Sequence, residues 1–282
     1  MTKTSMRTTQ FPSGENLPVL GQGTWHMGED ADRRASEIAA LRLGLDLGMN
    51  VIDTAELYGS GASEQLIAEA IAGRRDEAFL VSKVLPHHAT RRGTIHACES
   101  SLKRLNTDHL DLYLLHWRGK VPLNDTVEAF EQLVKSGKIR RWGVSNFDVA
   151  DMEELFSLKS RLICAANQVL YNLAHRGIEL DLFPWSRERK IPIIAYSPIE
   201  QGMLLDNYEL IRLARRHKAT VAQIMLAWVL RQDGIIAIPK AGNPQHVQQN
   251  REALDIQLTK EDLALLDELF PLPKSKVPLE MI

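Results

Sequence analysis

The chain has 282 residues, 44% apolar and 25% charged: enough apolar material for a large core, and too much for a disordered chain. A formal net charge of -2 leaves no basic footprint for nucleic acid and no polybasic patch for a membrane surface, so the expected partner is a small molecule. Cys98 and Cys164 stand without a CxxC or a His at ligand spacing, which argues against a disulfide framework or a zinc site and makes both buried apolar fillers.

The N-terminal stretch MTKTSMRTTQFPSGENLP has no apolar run suited to a signal peptide. The longest apolar run, IMLAWVL, is far short of the roughly 18 residues a membrane span needs. A cytoplasmic location is expected, with a monomer as the default state. The segment RTTQFPSGENLPVL sets a Ser-Gly-Glu-Asn turn between short runs, which predicts a hairpin over about residues 7–18 able to plug one end of a barrel.

Eight β-rich runs follow in order: VLGQGTW, NVIDTA, AFLVSKV, HLDLYLLHW, KIRRWGVSNF, AANQVLYN, IPIIAYSP and GIIAIPKA. Several are apolar nearly throughout, as strands covered on both faces are. The segments between them carry helical stripes, such as Ile95, Cys98, Leu102 and Leu105, or Val127, Phe130 and Val134. Alternation of this kind predicts repeated βα units and a parallel sheet, and eight units close into a (β/α)8 barrel of the TIM type. A doubly wound sheet would use fewer strands and place GxGxxG after the first, whereas GQGTW offers only two glycines. The stretch from Asp206 to Gln232 has room for an extra helix, and LTKEDLALLDELF predicts a C-terminal helix over about 259–270 with Thr259 as N-cap. No linker or low-complexity tract divides the chain, so residues 1–282 are read as a single barrel domain.

In such a barrel the chemistry sits where strands end at their C-termini. Asp53 ends the second strand, Lys83 the third and His116 the fourth, while Tyr58 lies in the loop after the second. Strand parity puts Asp53 with Val51, Lys83 with Val81 and His116 with Leu114, so all three polar groups can point inward together. Side by side, Asp53 and Lys83 offset each other's cost of burial, and a purely structural ion pair is the plain alternative. Tyr58 adds a proton donor whose phenolate Lys83 could stabilise, and a neutral His116 could orient a carbonyl oxygen beside it.

With these four groups in view, the sequence resembles the aldo-keto reductase family. NVIDTAELYG is similar to its Asp-Thr-Ala-x-x-Tyr-Gly signature, LVSKV to its lysine strand, DLYLLHW to its histidine strand and IPKAGNPQHVQQN to its C-terminal signature. The match runs from about Leu17 to Phe270, and short loops with endings such as LHWRG and VPLEMI look most like a bacterial branch of methylglyoxal and diketo-gluconate reductases. The resemblance implies NADPH-dependent reduction of small aldehydes and ketones, including dicarbonyls and sugar-derived carbonyls. Tyr58 would act as general acid, Lys83 and Asp53 would tune its proton, and His116 would position the substrate. No metal is implied.

The same resemblance assigns cofactor contacts. Ser145, Asn146 and Gln168 would hold the carboxamide, and Tyr196 would stack on the nicotinamide; from the residues alone, Ser145 and Asn146 read as a helix-capping pair. Gly23, Thr24 and Asp53 line the cofactor side, and Trp25 and Trp117 would wall an apolar substrate cleft with Tyr58 and His116. Ser197, Pro198, Gly202 and Leu204 correspond to the pyrophosphate segment. Lys240, Ala241, Gly242, Asn243, His246, Gln249 and Asn250 correspond to the stretch that binds the 2'-phosphate and adenine.

In that last stretch the pattern departs from the family. His246 stands where an Arg is expected, and an imidazole offers less charge and no bidentate fork, so NADPH preference should be moderate and NADH usable. Lys240 keeps NADPH the expected cofactor. Two other readings compete: a binding protein of the same fold that senses cofactor with little turnover, and a Schiff-base aldolase using Lys83, which an adjacent Asp53 opposes by keeping the amine charged.

Overall fold

The structure is a computed structural model that describes residues 6–158, 160 and 162–282. A hairpin opens the chain, with β1 (Thr8–Gln10) antiparallel to β2 (Asn16–Pro18). Its turn is tied by Gly14 N–H donating to Phe11 O at 2.9 Å and Phe11 N–H to Glu15 O at 2.8 Å. Both strands lie inside the expected span, about 7–18.

Eight parallel strands then form one sheet, each followed by helix. β3 (Gln22–Gly23) leads to α1 (Arg34–Asp46), and β4 (Val51–Asp53) to α2 (Ala62–Ala70). β5 (Phe79–Val84) leads to α3 (Arg91–Leu105), and β6 (Leu110–Leu115) to α4 (Leu123–Lys135). β7 (Ile139–Ser145) leads to α5 (Val149–Ser157), and β8 (Asn167–Leu170) to α6 (Leu182–Glu188). β9 (Ile193–Tyr196) is followed by two helices, α7 (Tyr208–Arg216) and α8 (Val221–Leu230), the first being the extra helix anticipated there. β10 (Ile235–Ala237) leads to α9 (Pro244–Glu252), and α10 (Lys260–Leu269) ends the helical part behind the Thr259 capping box.

Strands pair in chain order from β3 to β10. The ring closes through parallel bridges Leu20 to Ala237 and Gly23 to Lys240, with Gly21 N–H donating to Ala237 O at 2.8 Å and Gly23 N–H to Pro239 O at 3.0 Å. This is the (β/α)8 barrel. β3 is shorter than the run that announced it, and closure is made by isolated bridges, one at Leu20 ahead of the strand and one at its last residue, Gly23.

Two apolar layers hold the barrel. The larger lies between sheet and helices, where α3 contributes Cys98, Leu102 and Leu105 and α8 is buried along its whole length. The smaller fills the interior with Val51, Phe79, Val81, Leu112, Leu114, Ala166, Ile194 and Ile236, and Phe11 and Leu17 of the hairpin belong to it. The hairpin therefore seals the N-terminal end, with Phe11 edge-on to Phe79 at 5.8 Å between ring centroids. Val51, Val81 and Leu114 occupy the interior, so the parity that sends Asp53, Lys83 and His116 inward is realised. Both cysteines are buried, as expected. No helix among the described residues is long and apolar enough to cross a membrane.

Candidate active site at the C-terminal mouth

Asp53 is the last residue of β4, and Lys83 sits one position before the end of β5. Lys83 is wholly buried, and its Nζ donates to Asp53 Oδ2 at 2.7 Å, to Thr54 O at 2.8 Å and to Tyr58 Oη at 3.2 Å. All three ammonium hydrogens thus have acceptors, which an enclosed ammonium requires. Burial pushes the ammonium toward neutrality, but Asp53 and Tyr58 outweigh it and hold Lys83 above its ordinary value. Asp53 has a second partner: Gln168 Nε2, from β8 across the barrel, donates to Oδ1 at 2.7 Å. Burial nonetheless raises the carboxyl, with Lys83 and then Gln168 opposing the rise.

Tyr58 reaches this pair from a tight turn in which Gly59 and Ser60 are both left-handed, at φ +54° and +52°. A glycine adopts that conformation freely, and the turn re-aims the chain so that the phenol points back over β5. Lys83 Nζ lies 4.8 Å from the ring centroid. The expectation that the ammonium lowers the phenol meets a larger opposing influence: burial pushes Tyr58 above its ordinary value, and Lys83 only limits that rise. The phenol is therefore a protonated group at neutral pH, with a cation beside the oxygen where negative charge would develop.

His116 follows β6 and faces Tyr58 edge-on, 6.0 Å between ring centroids at 75°. Burial, aided by Lys83, lowers its pKa to about 3, so the ring is neutral. Its Nδ1 is buried and has no hydrogen-bond partner. The tyrosine lies between the other two, its hydroxyl on the lysine and its ring against the histidine.

The residues assigned to the carboxamide form a connected network. Ser145 Oγ donates to Gln168 O at 2.9 Å, Asn146 Nδ2 to His116 O at 3.1 Å, and Tyr196 Oη to Asn146 Oδ1 at 3.0 Å. Burial pushes the Tyr196 phenol up to about 12, so it serves as a donor. The capping alternative for Ser145 and Asn146 fails, because α5 begins at Val149 and is capped by Asp148, whose side chain accepts from Asp151 N–H at 2.9 Å.

Other assigned residues divide between mouth and wall. Trp25 is exposed and stacks on His26, Trp117 is half-buried with its ring 4.8 Å from His116, and Leu57, unremarked in the sequence, is exposed beside Tyr58. Thr24 is wholly buried: its Oγ1 donates to Asp53 O at 2.8 Å and accepts from Ser63 Oγ at 2.8 Å, so its side chain braces β4 instead of facing the opening. Gly23 has a packing reason of its own, since a Cβ there would meet Ile238 O at 2.6 Å. Arg118, next to Trp117, is engaged by Glu154 at 2.9 Å and Asp151 at 3.6 Å.

Farther around the mouth, Ser197 and Gly202 adopt left-handed backbone at φ +45° and +85°, Pro198 is buried and Leu204 packs on the outer core. Lys240 is exposed. Asn243 caps α9 by accepting His246 N–H at 2.9 Å, and its Nδ2 lies 3.1 Å from His246 Nδ1. Ala241 and Asn250 are buried, Gly242 and Gln249 half-buried.

With this geometry in place, the comparisons give one answer: residues 19–270 match the Aldo/keto reductase family, and the chain belongs to that family. It is 51% identical to methylglyoxal reductase YeaE of Escherichia coli strain K12, over 97% of this chain and 98% of that protein. It is 36% identical to glyoxal reductase of Bacillus subtilis strain 168, over 93% and 92%. A crystal structure of an aldo-keto reductase from Klebsiella pneumoniae in complex with NADPH superposes with a TM-score of 0.94 at 50% identity, covering 99% of this chain and all of that one.

Proposed function

We propose that the protein reduces small aldehydes and ketones, with dicarbonyls of the methylglyoxal type as the leading substrates, and takes NADPH as its cofactor. The observation that carries this reading is the buried Lys83 ammonium 3.2 Å from Tyr58 Oη, with a neutral His116 against the Tyr58 ring. The relatives named as methylglyoxal and glyoxal reductases support the substrate class, and the NADPH complex of the Klebsiella pneumoniae protein supports the cofactor.

The donor set fits such a cofactor. Ser145, Asn146 and Gln168 offer hydroxyl and amide groups suited to a carboxamide, Tyr196 offers an aromatic face, and exposed Lys240 offers a cation for the 2'-phosphate. Bound there in reduced form, a nicotinamide supplies hydride for the carbonyl carbon. The chain supplies the rest. His116 donates toward the carbonyl oxygen and sets its position. Tyr58 passes its proton to that oxygen, giving the alcohol, and Lys83, held by Asp53, stabilises the phenolate left behind until water restores the proton. Aldolase chemistry on Lys83 is disfavoured because its ammonium is raised and has three acceptors.

Replacing Tyr58 with Phe keeps the ring and removes the proton. Turnover with methylglyoxal should fall by about 10²–10⁴, the usual worth of a positioned general acid, while NADPH binding followed by tryptophan fluorescence stays the same. Retained turnover would show that the proton has another source. A kinetic panel of methylglyoxal, nitrobenzaldehyde, glyceraldehyde and diketo-gluconate ranks the substrates.

A further inference from the structure

The rim segment around Lys240 has a charged neighbour from far away in the chain. Glu37 lies in the first turn of α1, wholly buried, with Oε2 accepting Gly28 N–H at 2.8 Å. The same turn is fastened to the rim by Ser36 Oγ, which donates to Gly242 O at 3.0 Å. The point where a side chain on Gly242 would begin lies 3.5 Å from Lys240 Nζ and 3.7 Å from Glu37 Oε1. Lys240 and Glu37 thus approach one spot without closing an ion pair, and Lys240 makes none with any carboxylate among the described residues. Gly242 carries no side chain to separate them.

We infer that Glu37 is a cofactor-selectivity residue: a fixed negative charge behind Lys240 that weakens the hold of this rim on a ribose 2'-phosphate. The inference rests on the cofactor reading above and deepens it. A carboxylate cannot follow a phosphate that arrives beside it, and its repulsion acts through a partly enclosed path where screening by salt is incomplete. The ammonium of Lys240 attracts the phosphate while Glu37 opposes it, so discrimination between phosphorylated and unphosphorylated cofactor is held down by a residue outside the C-terminal signature. An unphosphorylated ribose carries no charge for Glu37 to oppose, so the effect is confined to the phosphorylated ligand.

The test is Glu37→Gln, which keeps an oxygen for Gly28 N–H and removes the charge; Glu37→Met removes it with an apolar chain of similar length should the first variant fold poorly. Dissociation constants for NADPH, NADH, 2',5'-ADP and 5'-AMP are measured by fluorescence and calorimetry. The expected result is a several-fold tightening for NADPH and 2',5'-ADP, shrinking as salt is added, with NADH and 5'-AMP unchanged. No change, a loss of NADPH affinity, or an equal shift for all four ligands overturns the inference. Lys240→Met is the control: if it leaves NADPH affinity intact, the seat of the 2'-phosphate has been misplaced, whereas a loss there with no effect at Glu37 defeats only the role of Glu37.

Discussion

The two ends of the barrel are built from the same eight strands and filled in opposite ways. At the N-terminal end Phe11 and Leu17 of the hairpin join Phe79 and Val51 in a dry apolar plug. At the C-terminal end the next inward positions along the same strands carry Asp53 and Lys83, and the core gives way to an ion pair with a phenol and an imidazole above it. The first end stabilises by removing area from water. The second encloses charge, which well-packed apolar residues would replace at little cost to stability. On the proposed mechanism the ion pair serves Tyr58, while the hairpin serves the fold.

Separating those two roles by mutation gives the largest expected effect. Lys83→Met strands Asp53 without its cation, which should cost about 3–5 kcal/mol in urea unfolding and reduce kcat/KM by about 10² or more. Adding Asp53→Asn removes the stranded charge, so the double variant should regain most of the lost stability and none of the lost turnover. Recovery of both, or of neither, would break the division between the ends.

At the other end the signs reverse. Phe11→Ala removes a large buried ring whose neighbours are barrel-interior side chains, and about 3–5 kcal/mol of stability should go with it. The proposed catalytic mouth is at the opposite end of the strands, so kcat/KM at temperatures below the lowered melting point should match the parent. A turnover loss that tracks the stability loss would show that the plug positions the chemistry after all.

The same contrast explains what could be read from the sequence. Asp53, Lys83 and His116 were visible because each interrupts an apolar run at a strand end, and parity then decided their direction. The hairpin was visible through its turn residues. Gln168 was assigned to the site only through the resemblance, and its bond to Asp53 joins positions 115 apart, a pairing no local pattern announces. The Thr54 carbonyl that receives Lys83 carries no residue-type signal at all, being backbone. Thr24 was set on the cofactor side by the resemblance alone, and no pattern in the sequence announces that its side chain bonds Asp53 O and Ser63. Glu37 drew no notice in the sequence, because only the fold sets α1 against the rim.

A single proton sharpens the comparison further. His116 is buried and neutral, its pKa lowered from 6.5 to about 3 by desolvation first and by Lys83 second. An unfolded chain would protonate this ring near 6.5, so between 6.5 and about 3 the unfolded state binds one proton more than the native state does here. Stability from this site is therefore fully present above 6.5 and is lost as pH falls through that window, by about 1.4 kcal/mol per pH unit. His116→Gln removes the titration, so its acid limb in urea unfolding should be shallower than the parent's by that slope, with no difference above 6.5. Native-state NMR of the parent should show no His116 titration near 6.5; a ring that does titrate there would mean that water reaches the mouth and that the imidazole spends part of its time as a cation, unable to play the neutral donor beside Tyr58.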